Sequence, residues 1–244
     1  MKNFKKILLT MAMTMALGTS AFAESGFEFL LNLSGGINYT IPTKETEDLQ
    51  AKGGLGGFAG LDAQIGYMFQ VSSGFGISAL AELGYSWDDY NYYANGGNSV
   101  GGTWREEGFR MNGYFHSFKL GLLPKFNIGV GNGAIALGIG GGVKIPIAGS
   151  LIFGSQYWNE AAQKTVVPDA ININRKDITD MFSPVIGYMK VTFDYYLFFT
   201  DNIGMNFGFY LGGDFGPKSK GDIKVGGDAF DFGLQLGFRF GPRA

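Results

Sequence analysis

The segment Phe230-Asp-Phe-Gly-Leu-Gln-Leu-Gly-Phe-Arg-Phe240 alternates without a break. Large apolar residues take every even position, while Asp231, Gly233, Gln235, Gly237 and Arg239 take the odd ones. A period of two places successive side chains on opposite faces, so the segment is a β-strand with one apolar and one polar face. A helical period would mix the two sets. The strand must therefore lie at a boundary between two media.

Seven further segments repeat the pattern, giving eight near 27–40, 55–71, 75–87, 109–128, 134–148, 184–200, 203–215 and 228–240. Their connections alternate in length. Val71–Gly74, Gly129–Gly133 and Thr200–Asn202 are tight turns rich in Gly, Asn, Asp and Ser. The others, 41–54, 88–108, 149–183 and 216–227, are long. In the longest, Asn159–Lys164 and Asp177–Phe182 each begin with a capping residue and predict short helical turns. No linker divides the chain, which predicts one domain over 24–244.

Residues 1–23 predict a cleaved secretory signal. Lys2, Lys5 and Lys6 precede a short apolar run from Ile7 to Leu17, and Ala21 and Ala23 supply the small residues of a cleavage site. Removing three Lys leaves 19 − 3 = 16 basic against 21 acidic residues, net −5. That balance argues against nucleic-acid binding. There is no Cys, so neither a disulfide framework nor a lipidated Cys holds or anchors the exported protein. Beyond the signal, no run of 18 apolar residues predicts a membrane helix.

Period alone does not say which face points outward, but volume does. The apolar face carries twenty aromatics, among them Phe27, Phe69, Phe118, Phe193, Phe207, Phe209 and Phe232. An eight-stranded barrel is just wide enough to be filled by ordinary side chains, so these cannot all lie inside. The opposite face is rich in Gly, including Gly36, Gly60, Gly84, Gly121, Gly140, Gly208, Gly233 and Gly237. The aromatics are expected to face lipid and the glycines the lumen. Tyr39, Tyr85, Trp87 and Tyr195 near strand ends suit interfacial girdles.

A signal, eight strands, alternating short and long connections and a closing Phe238-Arg-Phe240 strand resemble the small bacterial outer-membrane barrels of the OmpA transmembrane, OmpX and OmpW type. The resemblance covers the whole exported chain and is architectural. It implies an all-β, eight-stranded antiparallel transmembrane barrel with short periplasmic turns, long extracellular loops and both termini in the periplasm. It implies outer-membrane lipid and the barrel-assembly machinery as partners, with Phe238 and Phe240 as the assembly signal. In that family the aromatic is usually the last residue; here Gly241-Pro-Arg-Ala244 follows.

On the inward face, Glu28, Asp62, Glu82, Asp194, Asp214 and Asp231 stand against Lys119, Lys125, Lys144, Lys190 and Arg239. Near balance predicts a paired polar network that plugs the lumen. The alternative is a charged constriction selecting small solutes. His116, the only His, is followed by Ser117; adjacent strand residues point to opposite faces, so they form no nucleophile–base pair. No metal or cofactor motif is present, and Gly138–Gly142 lacks the Lys-Ser/Thr and helix of a phosphate loop. The Tyr-rich segment Trp87–Tyr93 reads as part of a loop suited to packing or to contact with a partner. The expected role is structural or surface interaction with an extracellular ligand or host surface, and not an enzyme; the alternative is a narrow porin-like channel or transporter for small solutes.

Overall fold

The computed structural model describes residues 25–95, 108–159, 163–166, 168–222 and 224–243. Ala21 and Ala23, with the whole signal segment, lie outside the described residues. Eight staves make the wall: β1 (Gly26–Pro42), β2 (Leu55–Ser72), β3 (Phe75–Asn95), β4 (Gly108–Leu122, resuming as Lys125–Val130), β5 (Gly133–Asn159), β6 (Ile186–Phe198), β7 (Ile203–Phe215) and β8 (Gly227–Phe240). Pro124 has no N–H and interrupts the β4 ladder. The register is unchanged across it, with Ala81 opposite Leu122 and Ser78 opposite Lys125, so β4 is one stave.

Each stave pairs antiparallel with the next, and β8 returns to β1 from Phe29↔Phe240 to Pro42↔Gly227. The ring is closed, which removes the free edges that invite aggregation. At the seam Gly36 faces Gly233. A Cβ on Gly36 would fall onto the Phe232 carbonyl, and one on Gly233 would meet the Phe58 ring at 2.5 Å. Only glycine lets β1 and β8 approach there with an aromatic inside.

One end of the barrel carries the tight turns, with Gly74 at φ +77° and Gly131 at φ +57°. The described ends of the chain gather here too. Ser25 Oγ accepts from the Gln70 amide, and the Gly241 amide donates to the Asn202 carbonyl.

The other end departs from expectation. Segments 88–95 and 149–159 were expected as loop, yet the pleat continues through both. Staves β3 and β5 reach 21 and 27 residues, whereas β6, β7 and β8 have 13, 13 and 14. The wall is tall on one side and low on the other. A bulge helps turn it: His116 opposes Ala148 and Ser117 opposes Pro146, leaving Ile147 extra.

The helix in the longest connection covers Arg175–Met181 and begins before Asp177. Asn174 is its cap, accepting from the amides of Lys176 and Asp177, while the Asp177 carboxylate accepts from the Asn174 amide at 2.9 Å. The reciprocal pair satisfies amides that the first turn leaves open, which fixes the start at Asn174. The helical turn expected at Asn159–Lys164 is replaced at both ends by strand. Asn159 pairs with Lys164, which opens the strand Lys164–Val166, and 160–162 lie outside the described residues. A five-residue helix, Lys44–Asp48, caps the first connection.

Candidate functional site: a filled lumen and a covered mouth

Burial along every stave alternates, and its polar half builds the interior. Glu28, Asp62, Glu82, Lys119, Lys144, Lys190, Asp194, Asp231 and Arg239 are all buried on the lumen side, as are Lys125 and Asp214. They form three levels.

Nearest the turns, Arg239 donates to Glu28 at 2.7 Å and lies over the Tyr196 ring at 4.4 Å. Lys125 donates to Asp194 at 2.9 Å and to the Tyr196 hydroxyl at 3.1 Å, and Gln235 also donates to Asp194. At mid-height, Glu82 accepts from Lys190 at 2.6 Å, from Gln64 at 2.9 Å and from the Tyr188 hydroxyl at 2.9 Å. Lys119 sits 2.7 Å from Asp62 and 3.5 Å from Glu82. Towards the long connections, Lys144 donates to Asp88 at 2.8 Å and to Asp214 at 2.6 Å, and Tyr90 donates to Asp214 at 2.7 Å. Charges this deep are tolerated only when paired and hydrogen-bonded, which these contacts supply.

Two residues stand apart from expectation. Asp88, assigned from the sequence to a loop, is a buried member of the third level. Asp231 is buried but makes no ion pair among the described residues. The interior also holds large rings, Phe58, Tyr90, Tyr92, Phe115, Tyr188, Tyr196 and Phe198, where the sequence predicts small and polar residues. Inward glycines leave the room: a Cβ on Gly121 would strike the Tyr188 hydroxyl.

Above the third level the lumen is closed by apolar packing. Tyr90, Phe115, Ile173, Ile178 and Ile186 form a buried cluster against which Phe182 and Leu151 pack. Ile173 and Ile178 come from the long connection, which folds inward over the mouth. It is tied down by the Ser183 amide to the Lys218 carbonyl and the Lys220 amide to the Met181 carbonyl. The first and last connections are tied as well. Thr46 Oγ donates to the Gly226 carbonyl at 2.9 Å and accepts from the Gly226 amide at 2.8 Å.

The outer face is the reverse. None of the twenty aromatics assigned to it is buried, and Leu33, Ile37, Leu83, Leu122, Ile139, Leu234 and Leu236 are exposed beside them. A closed ring with a charged, hydrogen-bonded inside and an aromatic outside suits lipid around it and does not suit water. The chain is an eight-stranded transmembrane barrel. No helix among the described residues is long and apolar enough to cross a membrane.

No family model and no curated protein matches the chain. Among solved structures it is similar to Neisserial surface protein A, at 9% identity and a TM-score of 0.39 over 87% of this chain and 96% of that one. It is similar to the outer membrane protein OprG from Pseudomonas aeruginosa, at 11% identity and a TM-score of 0.38 over 91% and 99%. It is also similar to the outer membrane protease OmpT from Escherichia coli, at 10% identity and a TM-score of 0.39 over 88% and 96%.

The remaining sequence candidates have plain positions. His116 points outward, its Nδ1 2.5 Å from the Tyr85 hydroxyl, whereas Ser117 is buried in the lumen. The wall separates them, and no nucleophile–base geometry forms. Gly138–Gly142 lies within β5, paired with β6. In Trp87–Tyr93, Trp87 stacks on Tyr114 with ring centroids 6.1 Å apart, while Tyr90 and Tyr92 turn inward. Phe238 and Phe240 lie exposed on the outer face near the turn end.

Proposed function

We propose that this chain is an integral outer-membrane protein of a Gram-negative-type envelope that does not conduct and that meets a partner through its outward end. The observation carrying the reading is the filled lumen: three levels of ion pairs beneath an apolar cluster, with connections tied across the mouth. An open pore needs a continuous wetted path, and each level here replaces water with a protein partner. The tall side of the wall supports the surface role. It carries structure beyond the membrane on strands, which are more rigid than free loops.

On this reading the turn end and both termini face the periplasm, Phe238 and Phe240 are offered to the barrel-assembly machinery, and the tall side faces outward to an extracellular ligand or host surface. The test is planar-bilayer recording of the purified, folded full chain. The expected result is no steady unitary conductance. A reproducible, well-defined conductance would overturn the reading in favour of a narrow channel.

A further inference from the structure

The outer face is not evenly filled. Where β6 and β7 run side by side it carries the rings of Phe193, Phe207 and Phe209. Across β1 to β4 the row Leu31, Ala63, Leu83, Leu120 has only a methyl group at its second place. The next row towards the long connections carries Leu61, Tyr85 and Phe118. These six large side chains are all exposed and surround the half-buried Ala63, leaving a groove of about 580 Å³ in the wall.

Height decides what can fill it. Tyr85 stands ten residues above Phe75 at the turn end. At a rise of about 3.3 Å per residue and a strand tilt of about 40°, that is roughly 25 Å, the full height of the apolar band of such barrels. The groove lies just below that level. Hydrocarbon, and not water, meets the wall there.

Polar groups begin at its upper edge. The Tyr85 hydroxyl is 2.5 Å from His116 Nδ1, and the two rings stack with centroids 6.0 Å apart. His116 Nε2 has no partner among the described residues. In one tautomer Tyr85 donates to Nδ1, which leaves Nε2–H as a donor and the phenol oxygen as an acceptor. In the other, Nδ1–H donates to the phenol, which leaves its O–H as a donor and Nε2 as an acceptor. Either way the pair offers a donor beside an acceptor. A hydroxyl group answers both; an ionised phosphate can only accept. Beside the pair, Trp87 stacks on Tyr114 with centroids 6.1 Å and planes 13° apart, a broad face with polar tips. The charged residues further up this outer face, Asp89 and Arg110, are opposite in sign, so no net charge there selects an ionic headgroup.

We infer that the groove around Ala63 holds an acyl chain of an outer-leaflet lipid with a neutral, hydroxyl-rich headgroup, a glycolipid, which the Tyr85–His116 pair recognises. The site is on the wall and is separate from the partner proposed for the outward end. Only its leaflet rests on the proposed orientation.

The test is native mass spectrometry of the folded full chain released from detergent micelles, after titration with monoglucosyl dioleoylglycerol or with dioleoylphosphatidylcholine. The wild type should retain one glycolipid, saturably, and hold it more tightly than the phosphatidylcholine. Ala63→Phe fills the groove and should weaken retention of both lipids about 10-fold, the contact of roughly two methylenes. Leu211→Phe adds the same ring to the outer face of β7 and should change neither. His116→Phe keeps a ring without its hydrogen bonds; it should weaken the glycolipid roughly 3- to 10-fold and leave the phosphatidylcholine unchanged. Unaltered retention in Ala63→Phe, or an equal loss in Leu211→Phe, overturns the groove. Equal retention of the two lipids by the wild type, or equal loss of both in His116→Phe, overturns the hydroxyl-rich headgroup. A non-conducting wild type that retains no glycolipid refutes the site and leaves the non-conducting reading standing.

Discussion

The mid-height cluster offers the sharpest test of a dry, paired lumen. Glu82 holds four donors, Lys190, Gln64, Tyr188 and, at 3.5 Å, Lys119. Glu82→Gln keeps the shape and removes the charge. Two lysines then share Asp62, which is 3.8 Å from Lys190 and 2.7 Å from Lys119. An uncompensated buried charge costs about 3–5 kcal/mol. Lys190→Met leaves Glu82 with three donors, so its cost is smaller, about 1.5–3 kcal/mol. Glu82→Gln/Lys190→Met restores neutrality, with Asp62 and Lys119 still paired. Its total should fall short of the sum of the singles by about 2 kcal/mol, as contacting residues in one network do. Urea unfolding in lipid vesicles, followed by tryptophan fluorescence, measures all four corners of the cycle. Singles costing less than about 1 kcal/mol, or a double that is additive within about 0.5 kcal/mol, would refute the reasoning, because water would then be screening the cluster.

The outer face predicts that Phe207→Arg impairs insertion, by about 2–4 kcal/mol at a midplane site; Phe207 is 44% exposed there, and refolding yield into vesicles is the readout. Gly36→Val should block closure of β1 against β8, because the new Cβ falls on the Phe232 carbonyl. The compact, unheated form on a gel should be lost, whereas Gly74→Val, where nothing lies within 4 Å, should retain the closed ring despite strain in its turn. Asn174→Ala removes the side-chain half of the capping box and should cost about 1 kcal/mol, seen as faster protease cleavage near 175–181 with the barrel intact.

The ring itself was legible because lipid outside and polar groups inside give the pleat strong contrast. Phe230 to Phe240 shows this at every position. The contrast fades above the membrane, and there hydropathy no longer marks the strand. In 85–93, inward Ser86, Asp88, Tyr90 and Tyr92 alternate with outward Tyr85, Trp87, Asp89, Asn91 and Tyr93. Both sets mix polar and aromatic residues, since water has replaced lipid outside. The pleat continues but hydropathy no longer reports it, so Asp88 reads as loop from the sequence. The apolar cluster was hidden for a different reason. Phe115 lies on a stave whereas Ile173 and Ile178 lie 58 and 63 residues further on, and nothing local in the chain indicates that they meet.

The tie between Thr46 and Gly226 spans 180 residues. It joins a segment near the start of the barrel to one near its end. Contacts of such separation form late, after the closure entropy of the intervening chain has been met. The end that carries the long connections therefore takes shape only when β8 has met β1. A probe raised against this end would count completed molecules and pass over half-built ones.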